Sequence, residues 1–440
     1  MNSIELTKKL VEIESTDPGA YEFEIEKFLK SYLDELKSYG VEVFESEVLD
    51  GRKNLMGVLR AAHAVRGDGV GAKHREPDFV VADIIRTAAG AKHREPDFVG
   101  ADIIRPINEL DSANSTELVL ICHMDTVVVG NDWTKEPFKP KEIDGKLYGR
   151  GSTDMKSGLA VALKTFEYVV KEIGKEKLKR DFKIIFTVDE EADMKGVEKA
   201  IKDGWLNEKS FVADLEPTDK MIQVSHKGRF WVKIYVKGKT AHASRPELGI
   251  DANATLAEII SYIRNEITIL PTDNELGKTT VTFGMMSGGY EPYVVPDSAY
   301  VTCDFRLAPP TYNHDIIRII NSAIANAKKI IANDVKVTYE ITGDREYVKK
   351  NDDSKLLKAM KDVLKELHTE TKNDDYLPVV TAFPGYTDTA VIASKLKNKE
   401  TLSYGPGSLS LAHKPDEYVL LSDIERCERV YKKLVQYLLI

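Results

Sequence analysis

The pattern of apolar and polar positions divides the first half of the chain into helical and strand-like segments. Residues 3–13 and 20–39 place apolar residues at mostly helical spacing, and Gly40 follows where the second helix would end. A further helical pattern covers 159–170. Apolar runs of strand length occupy 41–48, 54–59, 117–122, 183–188 and 211–213. Strands that alternate with helices in this way predict an α/β domain with a mixed sheet covered by helices on both faces.

The spacing of apolar and polar residues changes after this first domain. Residues 222–237 alternate with period two, which is typical of half-solvated antiparallel strands. The pattern then predicts a helix near 250–265, strands near 279–285 and 299–307, a helix near 313–328 and a strand at 335–341. This β-α-β-β-α-β order predicts a small, ferredoxin-like α+β domain at about 223–342.

The remainder of the chain returns to the first domain, which is therefore predicted to be discontinuous and to comprise residues 1–222 and 343–440. The second part shows a helical pattern at 354–368. Its last helix is predicted to open on a capping box formed by Ser422 and Glu425.

A tandem repeat interrupts the first domain. The segment GAKHREPDFVVADIIR at 71–86 recurs as GAKHREPDFVGADIIR at 90–105. Two copies are too few for a solenoid, so we interpret residues 61–108 as a duplicated insert in a surface loop, and we expect it to be poorly ordered. The copying event pairs His74 with His93, and their pairing is therefore no sign of a metal site.

Composition and charge exclude several classes of protein. The chain has 62 basic and 71 acidic residues and a net charge of −9, which gives no electrostatic footprint for nucleic acid. No apolar run reaches the roughly 18 residues of a membrane span, and the charged N-terminus is unlike a signal peptide. Three cysteines favour a reducing compartment, so we expect a cytoplasmic protein.

Candidate chemistry begins where the apolar run 117–122 ends. His123 can bind a metal ion, and Asp125, which points the same way along a strand, can hold the second ring nitrogen of that histidine. The alternative is a histidine and an aspartate in an ordinary loop. Asp154 lies in a glycine-rich turn, GRGSTDMKSG, which could aim its carboxylate into a cleft. The alternative is that Asp154 caps the following helix.

More carboxylates follow the next two predicted strands. Asp189, Glu190 and Glu191 adjoin the run 183–188, and their mutual repulsion predicts a divalent cation nearby. Glu190 and Glu191 face opposite ways on an extended chain, so they should do different work; the alternative is a solvated acidic turn. Asp214 and Glu216 follow residues 211–213. His413 stands just after the Gly405–Gly407 turn, where a lone histidine is usually structural.

Taken together, these residues supply two histidines, three carboxylates, a spare glutamate and an orienting aspartate. That set fits two divalent ions that share one bridging carboxylate. Imidazole and carboxylate ligands without thiolate suit zinc, cobalt or manganese. Two such ions about 3.5–4 Å apart would polarise a carbonyl group and generate a hydroxide.

At these residues the sequence resembles the co-catalytic zinc amidohydrolases and carboxypeptidases. That family includes acetylornithine deacetylase, succinyl-diaminopimelate desuccinylase, aminoacylase and glutamate carboxypeptidase. The resemblance covers nearly the whole chain outside 61–108. It is carried by the motifs HMDTV, GRGSTDMKSG, TVDEEADMKG, LEPTD, GKTAHASRPELG, VVPDSAYVTCDFRL and GPGSLSLAHKPDE.

The resemblance implies a role for each residue of the first domain, which would be the catalytic domain. The first metal ion would be held by His123 and Glu216, and the second by Glu191 and His413. Asp154 would bridge the two ions, Asp125 would orient His123, and Glu190 would be the general base that passes a proton to the leaving nitrogen. Asp214 is the rival of Glu216, which we favour because the Glu-Pro-Thr string is intact there.

The resemblance also makes the inserted domain a lid and dimerisation domain. His242 would reach the site of a neighbouring subunit and stabilise the developing oxyanion. Arg306 would bind a substrate carboxylate, the alternative being a salt bridge to Asp304. Four glycines would let the backbone approach the substrate: Gly288, Gly289, Gly405 and Gly407. The chain departs from the family at Tyr293 and Asp251, where asparagines are usual, which leaves substrate specificity open.

These expectations combine into one functional hypothesis. The chain would cleave the amide bond of N-acyl amino acids or short peptides through a two-metal-bound hydroxide with a glutamate base, as deacetylases and desuccinylases do. A dipeptidase or carboxypeptidase on the same scaffold is the first alternative. A non-catalytic relative that binds metal or ligand is the second. We expect a homodimer that acts on small molecules and binds neither nucleic acid nor membrane.

Overall fold

A computed structural model describes residues 1–62 and 116–440 of the chain. Both copies of the repeat, 71–86 and 90–105, and most of the expected insert lie outside these residues. The helices are α1 Ser3–Glu12, α2 Phe23–Glu35, α3 Ser157–Tyr168, α4 Lys195–Lys202, α5 Ala252–Thr268, α6 Asn313–Ile330, α7 Lys355–Thr371, α8 Asp388–Leu396 and α9 Leu421–Leu439.

The strands form two main sheets and two small ones. Their bounds are β1 Val41–Leu49, β2 Arg52–Leu59, β3 Leu118–His123, β4 Lys141–Ile143, β5 Lys146–Tyr148, β6 Phe182–Thr187, β7 Phe211–Pro217, β8 Ile222–His226, β9 Gly228–Lys237, β10 Thr272–Asp273, β11 Gly277–Lys278, β12 Thr280–Gly288, β13 Ser298–Leu307, β14 Lys336–Arg345, β15 Val380–Phe383, β16 Thr401–Gly405 and β17 Tyr418–Leu420.

The large sheet has eight strands in the order β1-β2-β6-β3-β7-β16-β8-β15. Its central strands β6, β3, β7 and β16 are parallel, whereas β1, β2 and the β8–β16 pair add antiparallel neighbours. Every residue of β3, β6 and β7 is buried. The predicted mixed sheet is thus confirmed. Strands that are covered on both faces appear in the sequence as continuous apolar runs, which is the pattern that these three strands show.

Alternate residues of these strands enter two different cores. Leu120 packs into the core that contains α1, α3 and α9, and its neighbour Ile121 into the core that contains α4 and α8. Because β3, β6 and β7 are parallel, their carboxyl ends meet at one edge of the sheet, with His123 opposite Thr187. The residues that follow these strands are therefore brought together.

The second sheet has four antiparallel strands in the order β12-β13-β9-β14, with α5 and α6 packed on one face. Its elements follow the predicted β-α-β-β-α-β order. The alternating run 222–237 covers two strands of different sheets, because β8 pairs with β15 in the large sheet and the chain changes sheets at Lys227. The predicted boundary at 223 thus falls inside β8.

The helix termini agree with the pattern at one place and differ at another. A single 3₁₀ turn follows α2, and this helical stretch ends at Gly40, which has a φ of 91°, as the sequence predicts. The predicted capping box at Ser422 is wrong, because β17 runs directly into α9 and the helix begins at Leu421 without a side-chain cap. Within residues 1–62 and 116–440, no helix has both the length and the apolar character needed to span a membrane.

Candidate metal centre

The carboxyl edge of the large sheet carries a cluster of histidine and carboxylate side chains. His123 ends β3, Glu190 and Glu191 follow β6, and Glu216 lies near the end of β7. Two loops complete the cluster: Asp154 precedes α3 and His413 follows β16. Asp154 (φ −124°, ψ 98°) and Met155 (φ −126°, ψ 31°) both have non-helical dihedral angles in this turn, and the peptide bond between them is cis.

Asp154 lies between the two histidines. Its Oδ1 is 3.3 Å from Nε2 of His123, and its Oδ2 is 3.4 Å from Nε2 of His413. A further carboxylate stands beside each imidazole: Glu216 Oε1 is 3.6 Å from His123 Nε2, and Glu191 Oε2 is 3.0 Å from His413 Nε2. One carboxylate thus links two histidine–glutamate pairs.

Burial makes this concentration of negative charge costly. Burial is the main cause that raises the pKa of three carboxyl groups, and neighbouring carboxylates add to it: Glu190, Glu191 and Glu216. Hydrogen bonds to Asp154 and Glu191 raise the pKa of His413 to about 10. Burial alone would lower the pKa of His123, but the surrounding carboxylates outweigh it and raise that pKa. The cluster therefore attracts positive charge strongly.

The donor set fits divalent metal ions. Ligand atoms of His123, Asp154 and Glu191 lie within 4.8 Å of one another, and so do those of His123, Glu190 and Glu216. These atoms are imidazole nitrogens and carboxylate oxygens, the donors that zinc, cobalt and manganese accept.

Asp125 supports the centre in a way that the sequence did not indicate. Its carboxylate accepts the main-chain N–H groups of Glu190 at 3.2 Å and of Glu191 at 3.0 Å. Its backbone carbonyl, rather than its carboxylate, lies within hydrogen-bond distance of His123 Nδ1, at 2.9 Å against 3.8 Å. The Asp125 side chain therefore fixes the turn that carries the two glutamates.

Asp214 and Glu216 occupy different surroundings on β7. Glu216 contacts His123, whereas Asp214 Oδ2 accepts a hydrogen bond from the hydroxyl of Thr389 at 2.8 Å. The geometry favours Glu216 as the ligand.

Comparisons with known proteins agree with this geometry. The sequence profile of peptidase family M20/M25/M40 matches residues 119–437. The chain belongs to this family. It is 30% identical over 342 residues, 70% of this chain and 81% of the relative, to a probable succinyl-diaminopimelate desuccinylase of Staphylococcus aureus strain Mu50. As an M20 family member, it is a metal-dependent hydrolase of amide or peptide bonds.

Solved structures share the fold at low sequence identity. A tripeptidase of Staphylococcus aureus superposes with a TM-score of 0.72 at 18% identity, covering 99% of this chain and 98% of that one. An M20 family metallo-carboxypeptidase of Sulfolobus solfataricus superposes with a TM-score of 0.70 at 16% identity, covering 100% and 99%.

A buried glutamate holds the loop that carries Asp154 in this M20 chain. Glu417 Oε1 accepts the main-chain N–H groups of Thr153 at 2.9 Å and Asp154 at 3.1 Å. Its Oε2 accepts from the N–H of Gly151 at 3.1 Å and from Arg150 at 2.5 Å. Glu417 is not among the residues predicted from the sequence, although it lies four residues after His413, inside the motif GPGSLSLAHKPDE.

Arg52 supports the opposite side of the centre. Its guanidinium donates to Glu22 at 2.5 Å and to Asp17 at 2.6 Å, and Glu22 in turn accepts the N–H of Asp189 at 3.1 Å. The ligand atoms of Asp17, Glu22 and Asp125 also lie within 4.8 Å of one another. Arg52 already supplies positive charge there, so this acidic group differs from the centre around Asp154.

Two predicted residues lie on the second sheet and its loops. His242 is exposed, and its Nδ1 is 2.8 Å from the hydroxyl of Ser244. Arg306 forms an ion pair with Asp304, with Nε 3.0 Å from Oδ1, which agrees with the alternative expectation of a lid salt bridge. Asp251, one of the departures from the family, caps α5 by accepting the N–H of Ala254.

The predicted glycines fall into two groups. Gly288 and Gly289 lie at the end of β12, on the second sheet. Gly405 and Gly407 pack closely against protein atoms near the centre: a Cβ at Gly405 would stand 2.1 Å from the carbonyl oxygen of Leu215, and one at Gly407 would stand 2.0 Å from Oγ1 of Thr153. Contact with substrate stays a prediction for all four.

Proposed function

We propose that the chain is a two-metal amidohydrolase that acts on N-acyl amino acids or short peptides, as deacetylases and desuccinylases do. The position of Asp154 between His123 and His413 carries this proposal. One metal ion would be held by His123 and Glu216 and the other by His413 and Glu191, with Asp154 shared between them. The donors favour zinc, with cobalt or manganese as alternatives.

Glu190 would be the general base. When bound, the metal ions polarise the scissile carbonyl group and lower the pKa of water. Burial, chiefly, raises the pKa of the Glu190 carboxyl, and a raised pKa makes its carboxylate a stronger base. The backbone of Glu190 is fixed by Asp125, which keeps this carboxylate beside Glu216 and His123.

The substrate would be a small molecule with a free carboxylate. The relative in Staphylococcus aureus supports an N-acyl amino acid, whereas the structural neighbours are named as a tripeptidase and a carboxypeptidase. Peptides are therefore the alternative outcome of the same experiment.

We further propose that the second sheet belongs to a lid through which two copies form a homodimer. His242 is exposed on this unit and would reach the metal centre of the second copy to stabilise the oxyanion. Three buried free cysteines support a reducing, cytoplasmic location. Light scattering would detect the dimer, and a fully active monomer would remove the role of His242.

Hydrolysis of a defined panel tests the proposal. The panel contains N-acetylornithine, N-succinyl-diaminopimelate, N-acetylmethionine and several dipeptides, each with zinc, cobalt or manganese. We expect metal-dependent turnover that falls about a hundred- to ten-thousandfold in Glu190→Gln and persists in Glu24→Gln, a control on the exposed face of α2. Two bound metal ions with equal turnover in Glu190→Gln would contradict the role of the base. Absence of metal binding would favour a ligand-binding relative.

A further inference from the structure

Three arginines form a row across one end of the second sheet. Arg229 on β9 is directly opposite Arg306 on β13 and Arg345 on β14. Residues opposite each other in antiparallel strands point to the same face of the sheet. The adjacent Phe230 is buried in the core against α5 and α6, so the arginine row lies on the face without helices.

The outer two arginines have protein partners. Arg306 pairs with Asp304. Arg345 pairs with Glu198 of α4 and donates to the backbone carbonyl of Asp193 at 2.9 Å. Asp193 follows Glu191 by two residues, so Arg345 joins this end of the second sheet to the segment that carries the candidate base and ligand. Arg229 is one strand away from Arg345, and the charges of Glu190 and Asp193 in this segment act on it.

Arg229 differs from both neighbours. In the described part of the chain, its guanidinium has neither a hydrogen-bond acceptor nor an ion-pair partner, and its Nε is buried without one. Its Cζ stacks 4.1 Å from the ring centroid of Trp231, and the residue is only 7% exposed. The indole Nε1 of Trp231 is likewise buried without an acceptor. Two neighbouring donors on one face therefore lack an acceptor.

A buried cation without a direct hydrogen-bond acceptor or ion-pair partner is unfavourable for stability, so its presence needs another explanation. Burial is the main cause that lowers the pKa of Arg229; Arg345 and Arg306 add to this effect, and the charges of Glu190 and Asp193 oppose it. The guanidinium is thus within electrostatic reach of the candidate base. A planar guanidinium with free N–H groups binds a carboxylate through two parallel hydrogen bonds.

We propose that Arg229 binds a carboxylate of the substrate beside the metal centre, with the indole N–H of Trp231 as a second donor. This assignment rests on the proposed amidohydrolase function. It adds Arg229 as a residue that determines specificity, on the strand next to Arg306, which pairs with Asp304. The substrate class is then an amide that carries a carboxylate within reach of the scissile bond.

Paired substrates test this assignment in the metal-loaded enzyme. The best substrate of the panel is compared with its carboxamide twin, in which a neutral amide replaces one carboxylate. We expect Arg229→Gln to raise KM for the carboxylate substrate about 10- to 100-fold, to change kcat less than about threefold, and to leave the twin unaffected. Lys233→Gln, which removes a positive charge from the same face of β9, should change neither substrate.

Equal losses on both substrates in Arg229→Gln would show that Arg229 is structural, and the assignment would be wrong. Melting temperatures identify a variant that fails to fold; Arg229→Lys then replaces it, because a lysine keeps the charge but cannot make the paired hydrogen bonds. The lysine variant should bind the carboxylate substrate with intermediate KM, and wild-type KM there would contradict bidentate binding.

Calorimetry separates this inference from the proposed function. Succinate and the neutral succinamide are titrated into metal-loaded and metal-free protein. Wild type should bind succinate at least tenfold more tightly than succinamide in both forms, and Arg229→Gln should lose this preference. Failure of wild type to hydrolyse any panel member would refute the proposed function, whereas an unchanged succinate preference in Arg229→Gln would refute the carboxylate site alone.

Discussion

Glu417 offers the most direct test of how the chain holds its metal centre. The carboxylate accepts three main-chain N–H groups of the Asp154 loop and pairs with Arg150, and both side chains are 1% exposed. Glu417→Gln keeps the size of the side chain but removes the charge opposite Arg150 and at least one acceptor. Breaking a buried pair from one side costs about 3–5 kcal/mol, and each buried unpaired N–H about 1–3 kcal/mol. Because the amide oxygen of glutamine can still serve Thr153 and Asp154, we expect a loss of about 3 kcal/mol in the free energy of unfolding.

The metal affinity distinguishes a positioning role from a stabilising one. Residues that orient metal ligands typically change metal affinity 10- to 100-fold when substituted, and we expect that loss in Glu417→Gln, measured by competition with a chelator. Glu117→Gln is the matched control, because Glu117 is also buried and pairs with Lys183 at 3.0 Å, but at the opposite end of β3. It should lose comparable stability in urea and keep wild-type metal affinity. Equal metal affinities in the two variants would refute the positioning role.

Three further predictions concern other parts of the molecule. Hydrogen bonds from Lys164 and Lys171 outweigh burial and lower the pKa of Glu167 to about 2, so its stabilisation is complete above about pH 4.5 and is lost as pH falls toward 2. Glu167→Gln should therefore cost about 1 kcal/mol in urea unfolding at pH 7 and progressively less below pH 4.5; a constant difference would contradict this. Gly407→Ala should weaken metal binding and stability, because φ is +86° and the added Cβ would meet Thr153, and wild-type chelator competition would contradict the close packing. Zinc at 100 times its dissociation constant should stabilise the protein by about 2.7 kcal/mol per site, whereas unchanged melting after chelation would argue against a structural contribution from the ions.

The sequence predicts the scaffold well where one physical pattern dominates. The continuous apolar runs of β3, β6 and β7 could be identified because both faces of those strands are buried. The change of sheet at Lys227 could not be found, since β8 and β9 present one unbroken alternating pattern. The start of α9 was missed because a strand runs directly into the helix and no capping side chain is used.

Some residues of the candidate site could be predicted from a local sequence pattern, and others could not. Residues at or just after the end of a buried strand, such as His123 and Glu191, could be predicted from the sequence, because the end of an apolar run marks the end of the strand. Supporting residues could not, because their contacts join distant parts of the chain: Glu417 lies 263 residues from Asp154. Arg229 was overlooked because its role depends on the register of three strands and on the lack of an acceptor nearby, neither of which is written in local sequence.

The supports of the metal centre and the arginine row should behave differently under mutation. Asp125 and Glu417 hold main-chain N–H groups of the two turns that carry the candidate ligands and base, so their loss changes the positions of metal donors. Arg229 contacts none of the candidate metal-binding residues and lies on the second sheet. Its loss should therefore change how tightly the substrate binds. Variants of the first kind should therefore lower metal affinity and kcat together. Variants of the second kind should raise KM while the metal content stays constant. The large sheet would then hold the metal ions, and the second sheet would contribute to substrate binding.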